Sequence, residues 1–222
     1  MKALIKTLVV AVAFCVSAKL NGQTVTVDPG TLTLGYMNWS PMPGDAPGYG
    51  GSAASAWGLS ALQANFSGTT LTLSPNVNTY DGIGDNYWVN ADGSGANLMD
   101  ANIYNETTGV YNNTTLTFAF DVVANTLVSP YSSVAFIKVF APDYSSFTGA
   151  TVALTPGVDS VSFVIPDAPT DHVQYGFETD GPDTNPQSAA ALESVIINPV
   201  PEPASLAVLG LGLSLLAVRR RG

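Results

Sequence analysis

Apolar residues alternate with polar ones along the middle of the chain, in short runs rich in Val, Ile, Thr, Phe and Tyr. Clusters of Gly, Pro, Asn and Asp separate these runs, as turns separate strands. The predicted strands are 24–27, 31–38, 57–66, 69–74, 87–90, 97–106, 115–123, 134–141, 151–155, 161–165, 173–178 and 194–198. We therefore expect an all-β fold without helices between residues 23 and 199, arranged as a single β-sandwich domain.

Two of these runs define the expected core. The run 115–123 places its large apolar side chains on one face, as a half-buried strand requires. Those side chains, which we predict to be buried, are Leu116, Phe118, Phe120 and Val122. The run 134–141 is apolar on both faces, which predicts a central strand covered on each side. Lys138 interrupts it, and its ammonium must reach solvent past the sheet end or pair with a carboxylate, because an uncompensated buried charge costs several kcal/mol.

The N-terminus has the pattern of a helical secretory signal peptide, which we assign to residues 1–22. Two lysines among the first six residues precede an apolar run at 8–16, and small residues up to Ala18 form a cleavage pattern. The only cysteine, Cys15, lies inside the apolar run. The exported protein is therefore predicted to carry no thiol and no disulfide, so that core packing must stabilise it.

The C-terminus combines a Pro-Glu-Pro triplet, an apolar run and three arginines, in that order. The run, residues 204–218, would be about 22 Å long as a helix, against roughly 30 Å of hydrocarbon, so it predicts a short transmembrane helix. The two prolines favour an extended segment before it, accessible to a processing enzyme. The basic cluster consists of Arg219, Arg220 and Arg221. Because such clusters stay cytoplasmic, the preceding domain is expected outside.

These features resemble the PEP-CTERM sorting domain of Gram-negative bacteria. The resemblance covers residues 200–222, and the motif itself consists of Val200, Pro201, Glu202 and Pro203. It implies that a membrane protease of the exosortase type recognises the motif. It also implies that the domain is held at the inner membrane, in the periplasm, until processing moves it to the cell surface or the extracellular space. The alternative is a plain C-terminal anchor with a chance Pro-Glu-Pro triplet.

Charge is distributed unevenly between the domain and the two ends. Of the seven Lys and Arg only Lys138 lies within residues 23–199, and of the 17 Asp and Glu only Glu202 lies outside them. So acidic a domain repels nucleic acid and anionic membrane surfaces, and we expect it to bind neither. It attracts cations, calcium above all. The alternative is that the acidic surface only keeps the protein soluble.

The sequence predicts that the protein is not an enzyme. The motifs of common hydrolases, zinc proteases and phosphate-binding loops are absent from the chain. His172, the only histidine, begins a predicted strand beside Asp171, where a surface imidazole is the expected state. A pair of carboxylates acting on glycosides stays an alternative, because acids are abundant and their separation is not visible in a sequence.

One loop places oxygen side chains next to glycines, as calcium loops do. Its candidate ligands are Asp81, Asp85, Asn90 and Asp92. The segment that begins at Asn90 matches the first half of an EF-hand loop, but Ala101 stands where the bidentate glutamate belongs. Calcium is thus the one cofactor considered, and the alternative is that these side chains form Asx turns for conformational reasons alone.

The same loop carries aromatic residues that could stack on sugar rings. Trp88, Tyr87 and Tyr80 are the candidates, with Trp39 and Trp57 as further aromatic residues near loops. Neighbouring Asn and Asp side chains could bind sugar hydroxyls. The alternative is that these rings belong to the core.

The strand order is similar to the jelly-roll sandwiches of carbohydrate-binding modules, a likeness of shape that implies no ligand. We expect an exported surface or matrix protein with a structural or adhesive role. The alternative is a non-catalytic carbohydrate-binding module for extracellular polysaccharide. Aromatic rings exposed on a sheet face favour the module, and buried rings favour the structural role.

Overall fold

The computed structural model describes residues 22–42, 52–80 and 87–200. Its twelve strands are β1 (Gly22–Thr26), β2 (Leu34–Pro41), β3 (Ala53–Ala56), β4 (Ala64–Ser67), β5 (Thr70–Leu73), β6 (Asn97–Thr108), β7 (Thr115–Asn125), β8 (Ser132–Phe140), β9 (Phe147–Ala153), β10 (Gly157–Val164), β11 (His172–Pro182) and β12 (Val195–Pro199). One short 3-10 turn, Ala189–Leu192, precedes β12, and these three ranges contain no α-helix. The all-β prediction is confirmed.

The strands form two six-stranded sheets that enclose one hydrophobic core. The first sheet contains β1, β4, β5, β7, β10 and β12, and the second has the order β3-β2-β6-β11-β8-β9. In the first sheet, β10 pairs with one side of β7. The other side of β7 pairs with β1 along its first half and with β12 along its second half. Every strand pair is antiparallel except β1 with β7. The predicted β-sandwich is therefore confirmed.

β7 shows why the alternating pattern gives this fold. Its inward side chains, Leu116, Phe118, Phe120 and Val122, are at most 1% exposed, as predicted. The rings of Phe118 and Phe120 reach the Phe177 ring of the second sheet, with centroids 5.0 and 5.5 Å apart. Full burial of such a side chain stabilises the fold by about 1.5 to 3 kcal/mol, so these rings hold the two sheets together.

The predicted strand 87–90 is wrong, and the predicted strand 57–66 is right only for its last residues, which lie in β4. Within 57–66, the Leu62 amide donates to the Gly58 carbonyl, so that a tight turn precedes β4. Within 87–90, only Val89 forms a β-bridge, to Gly95. The chain turns directly after it, where the Gly93 amide donates to the Asn90 carbonyl. In both places the hydrogen bonds of a turn outweigh the β-propensity of the apolar residues.

The predicted signal peptide and sorting tail lie outside the described residues, apart from Gly22 and Val200. In the part of the chain that is described, no helix is long and apolar enough to cross a membrane. The Val200 amide donates to Thr26 Oγ1 at 3.0 Å, where β12 ends beside β1. The segment leading to the tail thus leaves the sandwich from the middle of the first sheet.

Candidate ligand-binding face

The outer face of the second sheet, turned away from the core, carries ionisable and amide side chains in the middle of its strands. Met99, Ala101 and Ile103 of β6 are buried in the core, so the residues between them point outward. The same alternation holds around Phe177 of β11. We call the following residues the polar patch: Asn38, Asp100, Asn102, Lys138, Glu178 and Asp180.

The register of the strands aligns part of this patch in a row. Asn38 lies opposite Asp100, which lies opposite Asp180. Asp180 in turn lies opposite Ser132 of β8. A cleft of about 820 Å³ opens over this row. Four neighbouring strands therefore contribute hydrogen-bonding groups to one cleft.

Lys138 is fixed inside the patch. Its Nζ donates to Glu178 Oε2 at 2.6 Å and to Asn102 Oδ1 at 3.0 Å. The same Nζ lies 4.2 Å from the centroid of the Phe136 ring, which is fully buried although it is outside the core cluster. Gly176 lies opposite Phe136 and adds no side chain there. Of the two alternatives predicted for Lys138, reaching solvent or pairing with a carboxylate, the structure has the pair.

The carboxyl groups of the patch outnumber its one ammonium, and burial strengthens their repulsion. Desolvation, followed by the charges of Asp100 and Glu178, raises the pKa of Asp180 to about 7. Desolvation and the charge of Glu178 also raise the pKa of Asp100, against the opposing effect of Lys138. Near neutral pH the Asp180 carboxyl is therefore protonated in a large part of the molecules, and it can then donate a hydrogen bond as well as accept one.

The other carboxyl groups of the patch are held by protein donors. Asn38 Nδ2 donates to Asp100 Oδ2 at 3.0 Å, and Asn102 Nδ2 donates to Asp100 Oδ1. Carboxylate oxygens of Asp100, Glu178 and Asp180 lie within 4.8 Å of one another. Oxygens at this spacing could hold one cation or accept hydrogen bonds from neighbouring hydroxyls.

A second polar group lies on the same face, nearer the start of β11. Gln174 Nε2 donates to Glu106 Oε2 at 2.6 Å, and Tyr144 Oη donates to Glu106 Oε1 at 2.9 Å. The Tyr144 ring stacks on His172, with centroids 4.5 Å apart and planes 4° apart. Thr108 Oγ1 lies 2.8 Å from His172 Nδ1. His172 is thus a partly exposed imidazole held in place by its neighbours, in line with the prediction.

The predicted calcium ligands that are described lie in the turn before β6. Asp92 Oδ1 accepts from the Ser94 amide at 2.9 Å and from Ser94 Oγ at 2.7 Å, which lowers the pKa of Asp92. Asn90 Nδ2 donates to Ser94 Oγ at 3.1 Å. Asp81 and Asp85 lie outside the described residues. These hydrogen bonds form an Asx turn of the kind that needs no ion, and calcium binding here stays a prediction.

The predicted sugar-stacking residues form an aromatic cluster. Trp88 contacts Tyr87 edge to face at 4.6 Å and Trp39 at 5.5 Å, and both tryptophans pack against the core. Trp39 Nε1 donates to Tyr87 Oη at 2.9 Å. Tyr80 Oη donates to the Gly93 carbonyl at 2.8 Å. Sugar binding by Trp88, Tyr87 and Tyr80 stays a prediction.

Other rings are exposed on the outer face of the second sheet. Tyr36 of β2 is 37% exposed, and it lies two residues from Asn38, on the same side of the strand. Phe147 of β9 is 57% exposed. The exposed rings are therefore not the ones that the loop composition indicated.

Four residues of the polar patch are not among the predicted site residues: Asn38, Asp100, Glu178 and Asp180. A signal was available, because Glu178 and Asp180 stand two residues apart in one strand and so share a face. Only the pairing of β11 with β6, in one register, brings them to Asp100, and the period-two pattern does not specify that pairing.

Comparison with known proteins identifies the tail. Residues 199–221 match the PEP-CTERM protein-sorting motif, which confirms the resemblance and implies export to the cell surface or the exterior. Comparison with curated proteins found no match. Among solved structures, a carbohydrate-binding module from the β-sandwich superfamily is similar over 78% of this chain and 85% of its own, with 12% identity and a TM-score of 0.31. A likeness this weak assigns no ligand to the cleft.

Proposed function

We propose that the protein is an exported surface protein with an adhesive role, which binds extracellular polysaccharide in the cleft over the polar patch without cleaving it. The sorting motif at residues 199–221 supports the location. The binding proposal rests on one observation, the row of hydrogen-bonding groups from four adjacent strands along a single cleft. That row consists of Asn38, Asp100, Asp180 and Ser132.

The chemistry of the row fits a polyhydroxylated ligand. Sugar hydroxyls both donate and accept, and the patch offers fixed carboxylate acceptors together with the Asp180 carboxyl, which can donate when it is protonated. Tyr36, 37% exposed and on the same side of β2 as Asn38, provides aromatic surface near the row, suited to the apolar face of a sugar ring. The volume of about 820 Å³ lies in the usual range for ligand clefts and would admit a short oligosaccharide segment.

We assign binding rather than hydrolysis because of how the carboxylates are held. Cleavage by paired carboxyl groups needs one that attacks or activates water and another that donates a proton to the leaving oxygen. Lys138 binds Glu178, and two amide groups donate to Asp100, so both act as fixed acceptors. The pKa values of Asp180 and Asp100 are both raised, and Lys138 binds Glu178, so the patch has no free carboxylate of low pKa to attack or to activate water.

The test measures binding of the exported protein, purified from cells that make the full chain, to an array of extracellular polysaccharides. Binding is expected with and without EDTA, and Asn38→Ala is expected to weaken it about tenfold, the size of one or two lost hydrogen bonds. Thr117→Ala, on the outer face of the first sheet, is the matched control and should bind like the wild type. A reducing-end assay should show no cleavage. Absence of binding to every polysaccharide, or equal loss in both variants, would contradict the proposal.

A further inference from the structure

β9 is an edge strand of the second sheet, and it lacks the features that usually protect such an edge. β8 pairs with one side of it, and no strand of the described ranges pairs with the other. Phe147–Ala153 contains no charged residue and no proline, and five of its seven residues are exposed. Natural edge strands are commonly kept from pairing by lysine, proline or a bulge. β9 therefore presents an open template for another strand.

The hydrogen bonds of the ladder indicate which backbone groups face outward. The Leu154 amide donates to the Ser133 carbonyl, and the Ala141 amide donates to the Ser146 carbonyl, so these pairs set the phase of the β8–β9 ladder. Because bonded pairs alternate along an antiparallel ladder, every second residue of β9 directs its backbone groups away from β8. The outward residues are Phe147, Gly149, Thr151 and Ala153.

The distribution of charge makes this edge the place where a second copy of this acidic chain can approach. The domain is strongly acidic, so two copies repel each other over most of their surface. Residues 144–158, which span β9 and its flanking turns, contain no charged side chain. The only charge of the neighbouring strand β8 is Lys138, and Glu178 neutralises it. At this edge, backbone pairing between copies meets little like-charge repulsion.

We propose that β9 pairs with β9 of a second copy, antiparallel and centred on Ala150, so that two second sheets join into one continuous sheet. In this register Phe147 lies opposite the partner's Ala153, and Gly149 lies opposite the partner's Thr151. A larger residue thus meets a smaller one at each position, and Phe147, 57% exposed in the single chain, becomes covered. The outward residues of both copies exchange backbone hydrogen bonds.

This pairing goes beyond the proposed function, because it needs neither the cleft nor a ligand. An antiparallel pair has its two-fold axis perpendicular to the sheet, so the two polar patches face the same side. Two clefts on one face would bind a repeating polymer more tightly than one, since the second contact forms at high effective concentration. Failure of polysaccharide binding would leave the pairing untouched, and the reverse also holds.

The test compares two variants of one outward residue. Thr151→Pro removes an outward N–H without removing a β8–β9 hydrogen bond, and proline is tolerated on edge strands in that orientation. Thr151→Ala keeps the N–H and is the control. Sedimentation of the exported protein, purified from cells that make the full chain, should give twice the chain mass for wild type and Thr151→Ala, and the single mass for Thr151→Pro. Association through any other surface would survive Thr151→Pro, and that result, like a wild type of single mass at all concentrations, would overturn the proposal.

Thermal unfolding of Thr151→Pro checks that the monomer is folded. Amide exchange gives a second readout that does not depend on the proline variant. The amides of Gly149, Thr151 and Ala153 should be protected in the wild type at high concentration and should exchange faster on dilution. If they are protected at single-chain mass, a segment of the same chain covers the edge, and the proposal is wrong.

Discussion

The two sheets of this sandwich have similar inner faces and different outer faces. Phe118 of the first sheet and Phe177 of the second are both fully buried, and their rings contact each other. Outside, the first sheet carries hydroxyl side chains such as Thr117 and Ser162, whose oxygens lie 2.8 Å apart, together with Asp121 and exposed valines such as Val158. On its own outer face, the second sheet carries the ionisable groups of the polar patch.

The difference between the two outer faces distinguishes side chains that the fold requires from side chains that a binding site requires. Exposed hydroxyl groups on a sheet lose little when the chain folds, because water still reaches them. The Lys138 and Glu178 side chains are only 15% and 19% exposed, so they are largely desolvated and each depends on its partner. A sandwich could be built with two outer faces of the first kind. The polar patch is therefore the part of the surface for which folding alone gives no reason.

Replacing a ring of the inner face should have the largest effect. Phe118→Ala leaves a cavity between Phe120, Tyr175 and Phe177, and we expect the free energy of unfolding to fall by about 3 to 5 kcal/mol. Denaturant unfolding measures the change. Phe177→Ala should cost a similar amount, since both inner faces share one core. A loss well below about 2 kcal/mol in either variant would show that the inner faces are not equivalent.

The ion pair of the outer face should come next. Lys138→Met leaves Glu178 and Asp100 without their cation, so we expect a loss of about 2 to 4 kcal/mol in the free energy of unfolding at pH 8. The double variant Lys138→Met with Glu178→Gln should regain most of this loss, because no unpaired charge then remains at the pair. Denaturant unfolding of both single variants and the double variant completes the cycle. If the Lys138→Met variant were as stable as the wild type, the polar patch would not depend on its ion pair, and the two outer faces would not differ in their effect on stability.

Much of the inner-face chemistry could be predicted from the sequence. In β7 the alternation is strict, so Phe118 and Phe120 were assigned to the buried face on period alone. The same reasoning failed at 57–66, where the Leu62 amide closes a turn with Gly58. Local hydrogen bonds of that kind depend on backbone conformation, and the pattern of apolar residues does not predict them.

The outer-face site could be predicted only in part. For Lys138 the sequence leaves two possibilities, reaching solvent or pairing with a carboxylate, and it does not identify the partner. The strand register places Gln174 opposite Lys138, so the pair with Glu178 forms because the long Lys138 side chain extends over the Phe136 ring. Composition favours the loop of Asp92 as a ligand site, but the Asp92 carboxylate accepts hydrogen bonds within a turn. Charged residues within strands that have a buried face, such as Asp180, are the more informative signal.

The pH dependence of stability tests the electrostatics of the patch. The folded state raises the pKa of Asp180 from 3.8 to about 7, so its stabilising proton is fully present below about pH 4 and is lost as the pH rises through 7. Asp180→Asn should therefore be more stable than the wild type by about 1 to 2 kcal/mol at pH 8, with the difference shrinking towards pH 4. Denaturant unfolding across this range measures it. Asp92→Asn is the opposite case, because hydrogen bonds lower the pKa of Asp92, and it should lose stability at pH 8. A constant difference across pH for Asp180→Asn would contradict the raised pKa.

The outer face of the first sheet should respond least. Thr117→Ala removes one exposed hydroxyl contact with Ser162, and water can replace that contact, so the free energy of unfolding should change by less than about 1 kcal/mol. Adding Ser162→Ala should change it little further, and denaturant unfolding of the three variants gives the coupling between the two hydroxyl groups.

The size of the Thr117→Ala effect decides how the loss of stability in Lys138→Met is interpreted. If Thr117→Ala were as damaging as Lys138→Met, any outer-face substitution would weaken the sandwich, and the polar patch would be no different from the rest of the surface. A small Thr117 effect beside a large Lys138 effect instead means that the patch holds a desolvated charge arrangement, which a ligand with matching hydroxyl groups can exploit.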